Sequence, residues 1–122
     1  LSDKNITEIP VGVAPYEVQL FSKQKAYVSN WGGRQPKEGE STYKTSKSDI
    51  LVDSITGIAN NGTVSVVDLK EGKEIKNIEV GLHPTAMVFS PDKEKLFVAC
   101  SNSDVISIID TKKDKVIDKI SV

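Results

Sequence analysis

One phrase is written three times in this chain. Lys4, Ile6, Ile9 and Val11 return with the same spacing as Lys73, Ile75, Ile78 and Val80, and again as Lys115, Ile117, Ile120 and Val122. The offsets are 69 and then 42 residues. Neighbouring features keep step: Gly12-Val13-Ala14-Pro15 answers to Gly81-Leu82-His83-Pro84, and the run TVSVVD at 63–68 answers to VISIID at 105–110. A period of 42 residues marks a repeat architecture, in which each unit is one supersecondary element that cannot bury its apolar surface alone. The first full unit exceeds the period by 27 residues, and the excess falls between Asn30 and Gly62.

Within a unit, short β-branched and aromatic runs are broken by turn chemistry at intervals too small for helices. In the second unit the pattern predicts strand A over Thr85 to Phe89, B over Lys95 to Cys100, C over Val105 to Asp110 and D over Val116 to Val122. Pro91 followed by Asp92 suits a type I turn, the Ser101 to Asp104 run offers side-chain to backbone hydrogen bonds, and Lys112-Lys113-Asp114 is a charged hairpin tip. The first unit repeats the order, with Asn61-Gly62 as a turn signal before its strand C. No segment has a helical period. The expected fold is all-β, built from β-propeller blades of four antiparallel strands. Residues 1–11 read as the outer strand of a neighbouring blade, 12–80 as a blade with a long B–C insertion at about 31–61, and 81–122 as a second blade. About two blades plus one outer strand make an incomplete propeller, because closed rings need about 4 to 8 blades. The expected partners are therefore the remaining blades of a longer parent, or further copies of the same chain.

These residues also carry a family resemblance. Tyr27-Val28-Ser29-Asn30 resembles the tetrapeptide of the YVTN-type propeller repeats, and the Gly-x-x-Pro connections, Ser90-Pro91-Asp92, Val67-Asp68 and Ile109-Asp110 resemble the rest of that repeat. The second unit departs from it with Phe97-Val98-Ala99-Cys100, and the first has Phe21-Ser22-Lys23-Gln24 where turn residues should stand. The tract from Tyr27 to Arg34 and the run GIANNGTVSVVDL are similar to the N-terminal propellers of bacterial envelope proteins that also carry an alkaline-phosphatase-superfamily phosphoesterase domain. That resemblance implies an extracytoplasmic location, in the periplasm or at the cell surface. It also implies that any phosphoesterase activity belongs to a separate domain, since the Asp and His clusters of such a centre are missing here.

Composition narrows the function. A formal net charge of −1 gives no general attraction to nucleic acid or to an anionic membrane. No apolar run approaches the length of a membrane span. The single Cys100 excludes an internal disulfide framework and any Cys-based zinc site, and reads as a buried small hydrophobe. Neither a nucleophile elbow nor a phosphate-binding glycine loop is present, so the chain reads as non-catalytic, with no cofactor and no metal.

Binding residues are sought in the insertion, which shares one end of the blades with the Gly-x-x-Pro connections. Trp31 and Tyr43 could stack on a sugar ring or base, and Gly32-Gly33 before Arg34 could bring backbone N–H groups to an anion. His83 is the only histidine and lies in the second connection, where Ala14 is its counterpart. The competing reading is that Ile50, Leu51, Val52, Ile55 and Ile58 pin the insertion onto its own blade. At the opposite end Lys23, Lys25, Lys70, Lys73, Lys93, Lys95, Lys112 and Lys113 are interleaved with acidic residues, which reads as a solvated rim. The expected function is a binding or scaffolding segment with a protein or glycan ligand. The alternatives are a single-stranded nucleic-acid-binding propeller and a surface-layer or adhesion scaffold.

Overall fold

The computed structural model describes residues 6–34, 42–45, 48–51 and 61–122. Ten strands follow in chain order: β1 (Pro15–Leu20), β2 (Lys25–Asn30), β3 (Thr42–Thr45), β4 (Ser48–Leu51), β5 (Gly62–Asp68), β6 (Lys73–Val80), β7 (Pro84–Phe89), β8 (Lys95–Cys100), β9 (Val105–Asp110) and β10 (Lys115–Ser121). Among the described residues there is no helix. Sheet one has the order β1-β2-β5-β6 and sheet two the order β7-β8-β9-β10, and every neighbouring pair is antiparallel. In the second unit the predicted strands B and C coincide with β8 and β9. Strand A begins one residue earlier, at Pro84, and strand D runs over Lys115–Ser121.

Two features differ from the expectation. Inside the insertion β3 and β4 form their own antiparallel ladder, pairing Thr42 with Leu51 and Thr45 with Ser48. Asn61-Gly62 is not a turn: Gly62 opens β5 and is buried. A methyl group there would run into the carbonyl oxygen of Gly81 and lie 2.5 Å from Pro84 Cδ. Glycine is required at 62 by the close passage of the chain that leads into sheet two, not by a left-handed backbone.

The segment over residues 6–11, read as an outer strand, carries no strand ladder. Its ladder partner in that reading would be a strand of another blade. It lies against sheet one instead, with Ile9 and Val11 packed on Ala26, Val28 and Val67.

The turns follow from the residues that end each third strand. Asp68 Oδ1 accepts the N–H groups of Lys70 and Glu71, both at 2.9 Å, and Asp110 Oδ1 accepts those of Lys112 and Lys113 at 2.8 and 3.0 Å. Each turn then closes through a left-handed residue, Gly72 at φ 69° and Asp114 at φ 52°. A carboxylate that caps its own turn is the physical content of the repeated Val-Asp and Ile-Asp pairs.

The two sheets stack face to face and the main core lies between them. Tyr27, Val64, Val66, Ile78 and Val80 of sheet one meet Met87, Leu96, Val98, Cys100 and Ile109 of sheet two. Phe21, Tyr27 and Phe89 complete this seam edge to face, with ring centroids 5.9 to 6.3 Å apart. At its first strands the seam is tied by polar groups. The Met87 N–H donates to the Glu17 carboxylate, Gln19 Nε2 donates to the Met87 carbonyl at 3.2 Å, and Ser29 Oγ donates to the Thr85 carbonyl at 2.7 Å. At the opposite end Tyr27 Oη and Lys25 Nζ both reach Asp114, at 2.5 and 3.0 Å.

The repeat gives this stacking a direction. At the sequence offset of 70, Ala26, Tyr27, Val28, Ser29 and Asn30 correspond to Leu96, Phe97, Val98, Ala99 and Cys100. Tyr27 points from sheet one into the seam, whereas its counterpart Phe97 points out of the far side of sheet two. Leu96 and Val98 point into the seam, whereas Ala26 and Val28 line the far side of sheet one. One kind of face therefore meets the other kind; the far side of sheet two stays open, and the far side of sheet one carries the segment over residues 6–11.

Candidate functional site

Of the predicted binding residues, Trp31, Gly32, Gly33, Arg34 and His83 lie where β2 ends and the two Gly-x-x-Pro connections pass. Along the first connection the backbone is stitched to the residues after β2: the Val13 N–H donates to the Gly33 carbonyl at 2.8 Å, the Trp31 N–H to Ala14 at 3.0 Å and the Gly32 N–H to Val13 at 3.0 Å. The Gly33 N–H turns back to the Asn30 carbonyl at 3.0 Å. Both glycine N–H groups are thus spent on backbone, and the anion cradle expected at Gly32-Gly33 is not formed. Gly33 has another reason to be glycine. Its φ is 80°, and a methyl group there would collide with Asn61, whose Oδ1 accepts the Arg34 N–H at 2.9 Å.

Trp31 and His83 do come together. Their rings meet edge on, with centroids 4.2 Å apart and planes at 88°. Trp31 also packs on Val13, which is buried, and Ala14 packs on Val13 beside it. His83 is held from behind, its carbonyl accepting the Ser101 N–H at 3.1 Å and the Ser101 hydroxyl at 3.3 Å. Its backbone is left-handed at φ 59°, and its counterpart Ala14 is left-handed too, at φ 52°. The conformation therefore belongs to the connection rather than to the imidazole. His83 Nδ1 is buried without a hydrogen-bond partner among the described residues. Tyr43 is placed by its backbone alone, opposite Ile50 in the β3–β4 ladder. Val52, Ile55 and Ile58, expected to pin the insertion, lie outside the described residues.

Sequence reasoning missed what Asn30 does. Asn30 is fully buried, and its Nδ2 donates to Thr63 Oγ1 at 3.1 Å and to Ser65 Oγ at 2.9 Å. Ser65 Oγ donates onward to the Glu74 carboxylate, which also receives Asn77 Nδ2 at 3.2 Å. The last residue of the tetrapeptide thus crosslinks β2 to β5 on the far side of sheet one. Lys25, read as part of a solvated rim, is instead the ion-pair partner of Asp114. Neither role has a sequence signature, because each partner lies more than 30 residues away.

Among the described residues no group of three or more His, Cys, Asp or Glu side chains is placed to hold a metal ion. Burial pushes the Cys100 thiol above its ordinary range, which makes it a poor nucleophile. What is presented is an aromatic edge pair, set on a backbone fixed by the two connections. Among the described residues no helix is long and apolar enough to cross a membrane.

No protein-family model matches the chain, and no curated protein matches it. Among solved structures it is similar to hydrazine synthase of Kuenenia stuttgartiensis, at 22% sequence identity with a TM-score of 0.50. That likeness covers 100% of this chain and 39% of the other, so the chain spans well under half the length of the structure it matches. At this identity the likeness concerns the path of the backbone alone.

Proposed function

We propose that this chain is a non-catalytic binding or scaffolding segment of a YVTN-type β-propeller. In this reading sheets one and two are consecutive blades, and the protein is extracytoplasmic, with any phosphoesterase chemistry in a separate domain. One observation carries the reading: repeat-equivalent faces of the two sheets stack in a single direction, which is how radially arranged blades bury both surfaces. The segment before sheet one supports it further. Ile9 and Val11 pack against Ala26, Val28 and Val67, while their counterparts Ile78 and Val80 pack with Leu96, Val98 and Ile109, the counterparts of those three residues. The N-terminal phrase sits where the outer strand of a preceding blade would sit.

The ligand surface in this reading is the end that carries Trp31, Arg34 and His83, offered to a glycan or a protein. Titration of the chain with cell-wall oligosaccharides, peptides and a single-stranded oligonucleotide, at low and high salt, tests it. Binding of an oligosaccharide or peptide that changes little with salt, and that Trp31→Ala weakens by roughly tenfold, is the expected outcome. Oligonucleotide binding that collapses as salt rises would move the chain to the nucleic-acid class instead, since phosphate contacts release counterions. The architecture has its own check. A crystal structure should relate the two sheets by a rotation of about 45° to 90°, as rings of 4 to 8 blades require.

A further inference from the structure

Sheet two leaves an apolar face open. Val88 is 62% exposed and Ile120 45% exposed, and a shallow hollow of about 180 Å³ lies between Ala86, Val88, Phe97, Ala99 and Ile106. On the far side of sheet one a second apolar cleft, about 290 Å³, lies beside the N-terminal segment among Ile9, Val11, Val18, Ala26, Val28 and Val67. Val18 and Leu20 at its border are 60% and 62% exposed. Contiguous open apolar surface of this kind is a docking surface.

The seam inside the molecule says what these faces fit. Tyr27, Val64 and Val66 of sheet one pack there on Leu96, Val98 and Ile109 of sheet two. Phe97, Ile106 and Ile108 are the counterparts of the first three, and Ala26, Val28 and Val67 the counterparts of the second three. The open face of sheet two is thus of the kind that the far side of sheet one receives.

The polar residues agree. In the internal seam Tyr27 needs Asp114 and Thr111, the latter offering its carbonyl at 3.4 Å. On the open face Phe97 has no hydroxyl, and the counterparts of Asp114 and Thr111 on sheet one are Gly72 and Leu69. Gly72 lacks the carboxylate as Phe97 lacks the hydroxyl, so apposing the two faces leaves neither member of that pair buried without its partner.

We propose that the open face of sheet two docks on the far side of sheet one of a second copy of this chain, with β10 of the incoming copy replacing the segment over residues 6–11. The exchange is like for like, because Ile120 and Val122 belong to the same repeated phrase as Ile9 and Val11. The segment then acts as a tethered competitor, with an effective concentration on the order of millimolar. Such an interface is heterologous, so repeated docking gives a ring or an open filament. The proposal rests on reading the two sheets as consecutive units of one stacking repeat.

The test is sedimentation velocity on the full chain over a range of concentrations, together with Val88→Lys and Val18→Lys. Both positions are exposed in the free molecule, so the circular dichroism of each variant should match the parent. The full chain should gain mass with concentration, and Ile9→Asp, which loosens the N-terminal segment, should tighten association by roughly tenfold. Each lysine variant alone should stay monomeric, and an equal mixture of the two should form a heterodimer through the one intact face of each. A full chain that remains monomeric to about millimolar concentration, single variants that associate as the parent does, or a mixture that stays monomeric would each overturn the proposal. Ligand binding at Trp31 is read independently, so a failure of self-docking and a failure of the scaffold reading are told apart.

Discussion

The Tyr27 hydroxyl and the Asp114 carboxylate meet at 2.5 Å across the seam between the two sheets. Tyr27 is fully buried, and Lys25 Nζ closes the group from the other side, 3.0 Å from the same carboxylate and 2.8 Å from the Thr111 carbonyl. Tyr27→Phe removes a buried hydrogen bond to a charged acceptor while leaving the ring in the core. It should cost about 1–3 kcal/mol in urea unfolding, against about 3–5 kcal/mol for Tyr27→Ala, which also opens a cavity. A loss near zero for the Phe variant would mean that the pair contributes no net stability.

The same pair sets an alkaline limit. Burial, and then the hydrogen bond to Asp114 and its charge, push the Tyr27 hydroxyl far above its ordinary value. The folded state therefore keeps the proton after the unfolded chain has released it near pH 10. The stability from this group is present below about pH 10 and falls above it, by about 1.4 kcal/mol per pH unit. Between about pH 10 and 12 the parent should lose stability more steeply than Tyr27→Phe by that slope. Parallel curves for the two proteins would show that Tyr27 titrates alike in both states.

The strands were legible because their signal is local. Leu96-Phe97-Val98-Ala99-Cys100 is a short apolar run closed by the turn chemistry of Ser101 to Asp104, and that marks β8 without any knowledge of its neighbours. The roles of particular residues were not legible, because they are set by contacts remote in sequence. Lys25 and Asp114 are 89 residues apart, and nothing around either marks it as a partner of the other. Asn61-Gly62 misled for a related reason. The pair carries the chemistry of a tight turn, but the passing carbonyl of Gly81 is what demands a residue without a side chain. Of the candidate site, the convergence of Trp31 and His83 follows from the repeat, which puts the first connection and the second at the same end. The use of the Gly32 and Gly33 N–H groups by the backbone depends on the path of residues 13 and 14, which no spacing reveals.

Lys93 offers a gain in stability. It closes the Ser90-Pro91-Asp92 turn with its backbone left-handed at φ 61°, and its side chain is exposed. A left-handed non-glycine residue carries about 1–2 kcal/mol of strain, part of which glycine gives back as unfolded-state entropy. Lys93→Gly should therefore stabilise by about 0.5–1 kcal/mol and raise Tm by roughly 2–5 °C in a thermal scan. A lowered Tm would mean that the Lys93 ammonium, 3.1 Å from the Phe21 carbonyl, outweighs the strain.

Acid should loosen the turns. The Lys113 and Lys112 N–H groups hold the Asp110 carboxylate below its ordinary range, and the Ser90 hydroxyl with the Glu94 N–H does the same for Asp92. Carboxylates depressed in the folded state contribute stability that is present above about pH 4 and lost as the pH falls through their folded values. The urea midpoint should drop as the pH falls below about 4, and Asp110→Asn with Asp92→Asn should flatten that drop. Unchanged steepness in the double variant would assign the acid transition to other carboxylates.

The passage between the sheets is the last point at which the structure commits itself. Gly81 leads from β6 into the second connection, and a methyl group on it would stand 2.5 Å from Ser103 Oγ, 2.7 Å from Cys100 Cβ and 2.8 Å from Val105 Cγ2. Gly12 occupies the equivalent place in the first unit, where a methyl group would stand 2.5 Å from Asn30 Cγ. Neither residue has a left-handed φ, so alanine would be accepted by the backbone and resisted by its neighbours. Gly81→Ala should cost about 1–3 kcal/mol, the usual range for an overpacked buried site. Ser103→Gly in the same chain should recover only part of the loss, since the Cys100 and Val105 contacts remain. Gly62→Ala should cost more than Gly81→Ala, because its nearest obstacle is a backbone carbonyl backed by a proline ring, whereas the nearest at Gly81 is a mobile hydroxyl. Denaturant unfolding of the three variants gives the order directly. If Gly62→Ala proved milder than Gly81→Ala, the two sheets would be joined more loosely than this close passage requires.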